Sequence, residues 1–394
     1  MQRRHFIQTL VAAGLGITGG KLFAAGANQP RLLIIFLRGG YDSANLLVPI
    51  SSSFYYEARP NIAIARPSAE LDSALPLTAD WGLHPALRET VHAMFKNGEV
   101  AFIPFAGTPD ISRSHFETQD SIELGQPKNQ SKDYRSGFLN RLASTLSGAE
   151  AMSFTDQLPL VFQGNTRVSN TALKSVAKAS LDGRQSSIIA AMYSNTALSG
   201  TVNEGFTVRD EVMQEMKIEA EAASRNAVSS KGFELEARRI ARLMKERYSI
   251  GFVDVGGWDT HVNQGGASGY LAGRFDELGR GLQGFSQEMG AMWKNTTVVV
   301  VSEFGRTFRQ NGNRGTDHGH GTAYWVLGGS VRGGQVVGDQ IRVESATLFQ
   351  NRDFQVLNDY RAVLGGLFSR QYGLSPKQNE QIFAGIKPKD FGLL

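Results

Sequence analysis

The 394-residue chain contains no cysteine, which excludes disulfides, thiolate zinc sites, iron–sulfur clusters and covalently attached c-type haem. Any metal must therefore be held by His, Asp, Glu or hydroxyl groups. Long hydrophobic runs are missing as well: no stretch approaches the roughly eighteen apolar residues that a membrane-spanning helix requires, so no stable membrane insertion is expected. There is no internal repeat. No phosphate-cradling G-x-G-x-x-G loop follows a strand, which makes a nucleotide-dependent redox enzyme the weakest reading. An excess of charge is lacking too, since the formal net charge is only +4, and nothing calls for nucleic acid or an anionic membrane as a partner.

What is present begins with "MQRRHFIQTLVAAGLGITGGKLFAAGANQ". Arg3 and Arg4 precede a short, glycine-studded apolar stretch that ends in Ala25, Gly26 and Ala27, and this resembles a twin-arginine export signal. Cleavage is expected after Ala27, with residues 1–27 as signal peptide and a periplasmic or secreted mature protein. Cleavage removes three basic residues and no acidic one, taking the formal charge from +4 to +1. Twin-arginine export carries chains that are already folded, which raises the expectation of an inserted metal.

Short apolar runs recur at 31–37, 100–105, 158–164, 250–255, 296–302 and 323–329. Nearly continuous runs of this kind are what strands buried on both faces need, so they predict a largely parallel sheet covered by helices. Helical patterns fall between them at 85–96, 134–146, 232–247 and 270–293, and this alternation predicts a doubly wound α/β fold. Residues from about 169 to 230 are poor in strand signals and predict a helical insertion, with a charged helix over 208–227.

In open α/β sheets, chemistry collects beyond the carboxyl ends of the strands. Four polar segments sit at or near such places. "LRGGYDSANLLVP" carries Arg38, Asp42, Ser43 and Asn45; "PDISRSHFETQD" carries Ser112, Arg113, Ser114 and His115; "VDVGGWDTHVNQGG" carries Asp254, Asp259, His261 and Asn263; "SEFGRTFRQNGNRGTDHGHG" carries Glu303, Asp317, His318 and His320. Four of the six His beyond the leader lie in these segments. Asp259 and His261 are two apart, so in an extended segment both point the same way, and His318 and His320 share that spacing. Asp plus two or three His, with an open position for water, is ordinary chemistry for catalytic zinc and possible for manganese or iron. Ser114 at a helix start, flanked by Arg113 and His115, is a candidate nucleophile near an anion site, although Ser112 fits equally well and either is an ordinary N-cap.

The ordered set "FLRGGYDSANLLVP", "RSHF", "GFVDVGGWDTHVNQ", "VVVVSEFGRT", "DHGHGTAYWVLGG" and "NDYRAVLGGLF" resembles the bacterial family known as domain of unknown function 1501, over almost the whole chain after the leader. That family is grouped with the alkaline phosphatase-like fold of phosphatases and sulfatases. The resemblance implies a three-layer α/β/α sandwich with a largely parallel central sheet and a helical insertion, spanning 28–394. It implies Ser114, or failing that Ser112, as nucleophile. Asp259, His261 and either His318 or His320 are the implied metal ligands. Relatives with two metals carry Asp-Gly and Ser-Asp-His-Gly where this chain has Arg38-Gly39 and Ser302-Glu303-Phe304-Gly305. The expected consequence is an Arg38 to Glu303 ion pair in place of a second metal, with Asp42 or Glu303 as alternative ligands. The resulting expectation is an exported hydrolase of a phosphate or sulfate ester, small or polymeric. It would use one divalent metal, zinc before manganese or iron, with Arg113, His115 and Arg38 beside the nucleophile. The rival is a noncatalytic envelope protein that keeps the fold.

Overall fold

The structure, a computed structural model, describes residues 29–173, 183–208 and 232–394. The leader over 1–27 and the helix expected over 208–227, apart from Val208, lie outside the described residues. Within the expected insertion, Gly183–Tyr193 and residues 199–208 are helical.

The main sheet is built from β1 (Arg31–Leu37), β2 (Val100–Gly107), β3 (Ala151–Ser153), β4 (Ser169–Asn170), β5 (Ile250–Val255), β6 (Thr296–Ser302), β7 (Thr322–Leu327), β8 (Gln335–Val336) and β9 (Asn358–Asp359). Its order is β8-β2-β7-β6-β1-β5-β3-β4, with β9 also on β2. Only β7 is antiparallel to its neighbours, β2 and β6. Strand alternation splits the core in two, because successive side chains point to opposite faces. Leu33, Ile35, Val298 and Val300 join one apolar cluster, and Leu32, Ile34, Val299 and Val301 the other.

Each cluster is closed by its own helices. The first takes Phe233, Ile240 and Met244 of α3 (Phe233–Glu246) and Leu271, Phe275 and Leu282 of α4 (Tyr270–Met289). The second takes Phe138, Leu139 and Leu142 of α2 (Phe138–Thr145) and Val363, Leu364 and Phe368 of α5 (Tyr360–Tyr372). This is the helix-covered, largely parallel sheet that the runs predict, in the three-layer α/β/α form that the resemblance implies. A smaller three-stranded sheet, Leu47–Pro49, Leu75–Pro76 and Trp81–Leu83, packs beside it.

Two element expectations are corrected. The run 158–164 is not a strand: Leu160–Phe162 forms a 3-10 turn, because Pro159 lacks a ladder donor and the Val161 amide is taken by the Glu123 side chain. The sheet position belongs instead to Ala151–Ser153. The helix expected over 85–96 is broken into Pro85–Leu87 and Val91–Lys96, with Thr90 at ψ −96 between them. Among the described residues, no helix is long and apolar enough to cross a membrane.

Candidate metal centre

Topology gathers the four polar segments at one edge of the sheet. β1, β5 and β6 are parallel and in register at Leu37, Val255 and Ser302, so their following loops leave side by side. β7 starts at the same edge because it is antiparallel, which returns residues 303–321 to it. β2 ends there too and delivers the segment leading to α1 (His115–Leu124). Close backbone approach completes the assembly. Gly39 has φ +123, and a Cβ there would lie 2.6 Å from the Asp259 amide nitrogen. Residues 260–264 pair with 313–316 through Thr316 N to Thr260 O at 3.0 Å and Asn263 N to Asn313 O at 2.9 Å, a fit that needs Gly315, whose Cβ would otherwise sit 2.3 Å from the His261 carbonyl carbon.

At this edge His115, Asp259 and His318 form a group whose ligand atoms all lie within 4.8 Å of one another. His115 Nε2 stands 3.0 Å from His318 Nε2. His261 flanks the group, with its Nε2 3.1 Å from His318 Nε2 and 2.9 Å from Asp259 Oδ1. Each imidazole is anchored through its other nitrogen. His115 Nδ1 meets Glu303 Oε1 at 2.8 Å, His261 Nδ1 meets Asp317 Oδ1 at 3.1 Å, and His318 Nδ1 meets the Arg113 carbonyl at 3.0 Å. A carbonyl or ionised carboxylate only accepts, so in each neutral ring the proton sits on Nδ1 and the Nε2 lone pair faces inward. Three lone pairs and a carboxylate thus converge, an arrangement that a cation among them, or a second proton on His115, would relieve. Anchored Nδ1 atoms of this kind are how metal-ligating histidines are oriented.

The charges around the group follow from the same contacts. Burial alone would raise the Asp259 carboxyl, but the Arg306 guanidinium, 2.6 Å from Oδ1, holds it below the usual carboxylate range. Glu303 is fully buried, yet bonds from His115, Gln119 and the Gly39 amide keep it ionised and low. The hydrogen bond to Glu303 raises His115, whereas burial, with His115 and Arg306 nearby, lowers His318.

Several expected site residues are placed elsewhere. The Arg38 to Glu303 ion pair is absent: Arg38 binds Asp254 Oδ2 at 2.7 Å and Glu123 Oε1 at 2.9 Å. Gln119 stands between them, accepting from Arg38 and donating to Glu303. Glu303 therefore orients His115 instead of facing a guanidinium. Asp42 is not with the group either. It is buried in an ion pair with Arg59 at 2.5 Å and accepts from Gln264. His320 turns away from His318, because the segment is not extended: the Gly319 amide bonds to Gly305 O and the Gly305 amide to His320 O. Its ring packs 5.0 Å from Phe349, and burial lowers its pKa to about 4. Arg113 is committed to Asp353, with Nε at 2.9 Å and a terminal nitrogen at 2.6 Å from Oδ2. Ser114 is the N-cap of α1, accepting from Glu117 N at 3.5 Å, and Ser112 Oγ lies 3.3 Å from Thr118 Oγ1.

Sequence reasoning passed over Arg306, Gln119 and Asp353. Arg306 lies inside the quoted "SEFGRT", and a cation placed between a Glu and two His was the available signal. Asp353 has none, since its role depends on a contact 240 residues away.

Comparison with known proteins adds little chemistry. No curated protein matches the chain. Among solved structures it is similar to Ps i-CgsB in complex with k-i-k-neocarrahexaose (9% identity, 89% of this chain and 74% of that chain, TM-score 0.40). It is also similar to a protein in the alkaline phosphatase superfamily from Vibrio parahaemolyticus (13% identity, 94% and 75%, TM-score 0.35). A third is the lipoteichoic acid synthase LtaP from Listeria monocytogenes (8% identity, 94% and 75%, TM-score 0.36). At such identities and scores, substrate and chemistry must be read from this chain's own side chains. At the level of sequence the assignment is direct: residues 29–384 match the family described as protein of unknown function (DUF1501), and the chain belongs to that family.

Proposed function

We propose that this protein is an exported hydrolase of a phosphate or sulfate ester that holds one divalent cation between His115, Asp259 and His318, with His261 beside them. The observation that carries the reading is the convergence of Nε2 atoms whose Nδ1 partners force their lone pairs inward. The fit is reasonable for zinc: tetrahedral bonds of about 2.0–2.1 Å separate ligand atoms by roughly 3.3 Å, and the separations from His318 Nε2 to His115 Nε2, His261 Nε2 and Asp259 Oδ1 run from 3.0 to 3.3 Å. Manganese and iron accept the same donors.

A bound divalent cation supplies Lewis-acid polarisation of an ester oxygen. The chain's own groups do the rest. Arg306 keeps Asp259 ionised and fixed, and Glu303 fixes His115. Ser114, next to His115 and at the start of α1, is the candidate nucleophile; its hydroxyl donates to no acceptor among the described residues. The substrate class is an anionic ester, either a small molecule or an envelope polymer. One observation favours the second reading, a noncatalytic binding protein: Arg38, Arg113 and Arg306 are each already paired with a carboxylate, which leaves none of the three to clamp an anion.

The test is elemental analysis of the exported protein beside Asp259→Ala and His318→Ala, followed by a panel of aryl phosphate and sulfate esters assayed with Ser114→Ala. About one equivalent of zinc, manganese or iron, lost in both variants, together with turnover that needs Ser114, is the expected result. A folded protein that neither holds nor takes up metal overturns the metal-dependent reading. Metal without turnover favours the binding protein.

A further inference from the structure

We infer that Asp353 and Arg113 form a positioning pair that sets the orientation and tautomer of His318, by holding the Arg113 backbone in a left-handed conformation. The inference rests on the proposed metal centre for its purpose, but not for its test.

Arg113 has φ +54, a left-handed region that a long side chain occupies only under strain. Its carbonyl is the acceptor for His318 Nδ1 at 3.0 Å. The direction of that carbonyl depends on the Arg113 backbone, so relaxing φ to a negative value would swing it away. The side chain opposes the relaxation. Its Nε and one terminal nitrogen both reach Asp353 Oδ2, at 2.9 and 2.6 Å, and that terminal nitrogen also meets Gln350 Oε1 at 2.8 Å.

Asp353 is well suited to act as the fixed end. Its side chain is fully buried, and it closes a tight turn in which Phe349 N bonds to Asp353 O at 2.8 Å. The same turn touches the 302–321 loop directly: Phe308 N bonds to Arg352 O, Gly321 N bonds to Phe354 O, and an Arg352 terminal nitrogen donates to the His318 carbonyl at 2.9 Å. Arg352 Nε also lies 3.3 Å from Asp353 Oδ1 without making a hydrogen bond. His318 is thus gripped at its ring through Arg113 and at its backbone through Arg352, and both grips lead to residues 349–354. With this pair intact, His318 keeps its proton on Nδ1 and presents Nε2 to Asp259 and His115.

The decisive variants are Arg113→Ala, Arg113→Gly and Asp353→Ala. Glycine adopts φ +54 without strain, so it should keep the carbonyl in place although the guanidinium is gone, whereas alanine should not. Long-range nitrogen–proton spectra of the metal-free protein read the His318 tautomer, and zinc competition titration reads affinity. The expected result is an Nδ1–H tautomer in the parent chain and in Arg113→Gly, lost in Arg113→Ala and Asp353→Ala. Zinc affinity should fall about 10- to 100-fold in the latter two and much less in the glycine variant. Asp353→Asn, which keeps one acceptor oxygen for Arg113, replaces Asp353→Ala if that variant does not fold, and should show a partial shift. Equal losses in Arg113→Gly and Arg113→Ala would overturn the inference, as would an unchanged tautomer in the Asp353 variants. If no variant binds zinc but the tautomers shift as described, the metal reading fails and the positioning pair stands.

Discussion

Asp42 and Asp259 both follow a buried strand, and each is held by a buried arginine, yet they have opposite surroundings. Asp42 pairs with Arg59 and Gln264, while Arg59 also meets Asn45 and the carbonyls of Thr307 and Phe308, and Asn45 meets Tyr55. Donors and acceptors nearly balance there, with both members of the ion pair at 1% exposure or less. Asp259 is 43% exposed and faces imidazole lone pairs as well as Arg306, so acceptors exceed donors. A polar cluster whose bonds close on themselves fixes the fold, and one left with surplus lone pairs at the surface is prepared for a cation. Residue type alone does not separate the two cases.

The largest effect expected from breaking this contrast is on the closed side. Arg59→Ala should destabilise the metal-free protein by about 3–5 kcal/mol, the usual cost of leaving a buried charge unpaired, whereas His261→Ala, on the open side, should cost less than about 1 kcal/mol because its side chain is 40% exposed to water. Denaturant titration of both variants checks this, and similar losses would erase the distinction.

A second closed site predicts a pH effect. His84 is buried with its Nδ1 accepting from Ala86 N and its Nε2 donating to Gly266 O, and burial lowers its pKa to about 4. A depressed histidine stabilises the fold fully above its unfolded pKa of about 6.5 and progressively less as pH falls toward 4, because the unfolded chain takes the proton first. The loss over that window should be about 3 kcal/mol. Denaturation at pH 7 and pH 4.5 should show it in the parent chain, and His84→Gln should flatten the difference.

On the open side the expected changes are in affinity and are smaller. Glu303→Gln should weaken zinc binding about tenfold by loosening His115, while His320→Ala should leave the stoichiometry unaltered; competition titration distinguishes them. Smallest of all, Ser114→Ala should cost about 0.5–1 kcal/mol of stability as a lost helix cap, read by thermal melting. The same change would abolish any ester turnover if Ser114 is the nucleophile.

How much of this was legible follows the same division. The strands at 31–37, 250–255 and 296–302 could be read because burial on both faces demands an apolar run, and the polar segments could be read because they begin where those runs stop. The exchange of His115 for His320 could not. The i, i+2 rule assumes an extended backbone, and the segment bends where Gly319 bonds back to Gly305. Nor could the partner of Arg38, since Asp254 and Glu123 compete with Glu303 for it across 85 to 265 residues of chain. The misread strand at 158–164 has a similar cause, because only the position of Glu123 decides that the Val161 amide turns away from the sheet.

The amino-acid sequence by itself determined that this chain builds a layered α/β core without disulfides, and that any metal it holds must be bound by His and carboxylate groups near strand ends. Hydrophobic periodicity and residue chemistry act locally, so they survive reading along a single chain. The tertiary structure alone decided which imidazoles meet, which arginines are already neutralised, and which buried aspartate steadies His318. Those outcomes depend on angles and distances between segments far apart in the chain, where a displacement of a few ångströms turns a ligand into a core residue.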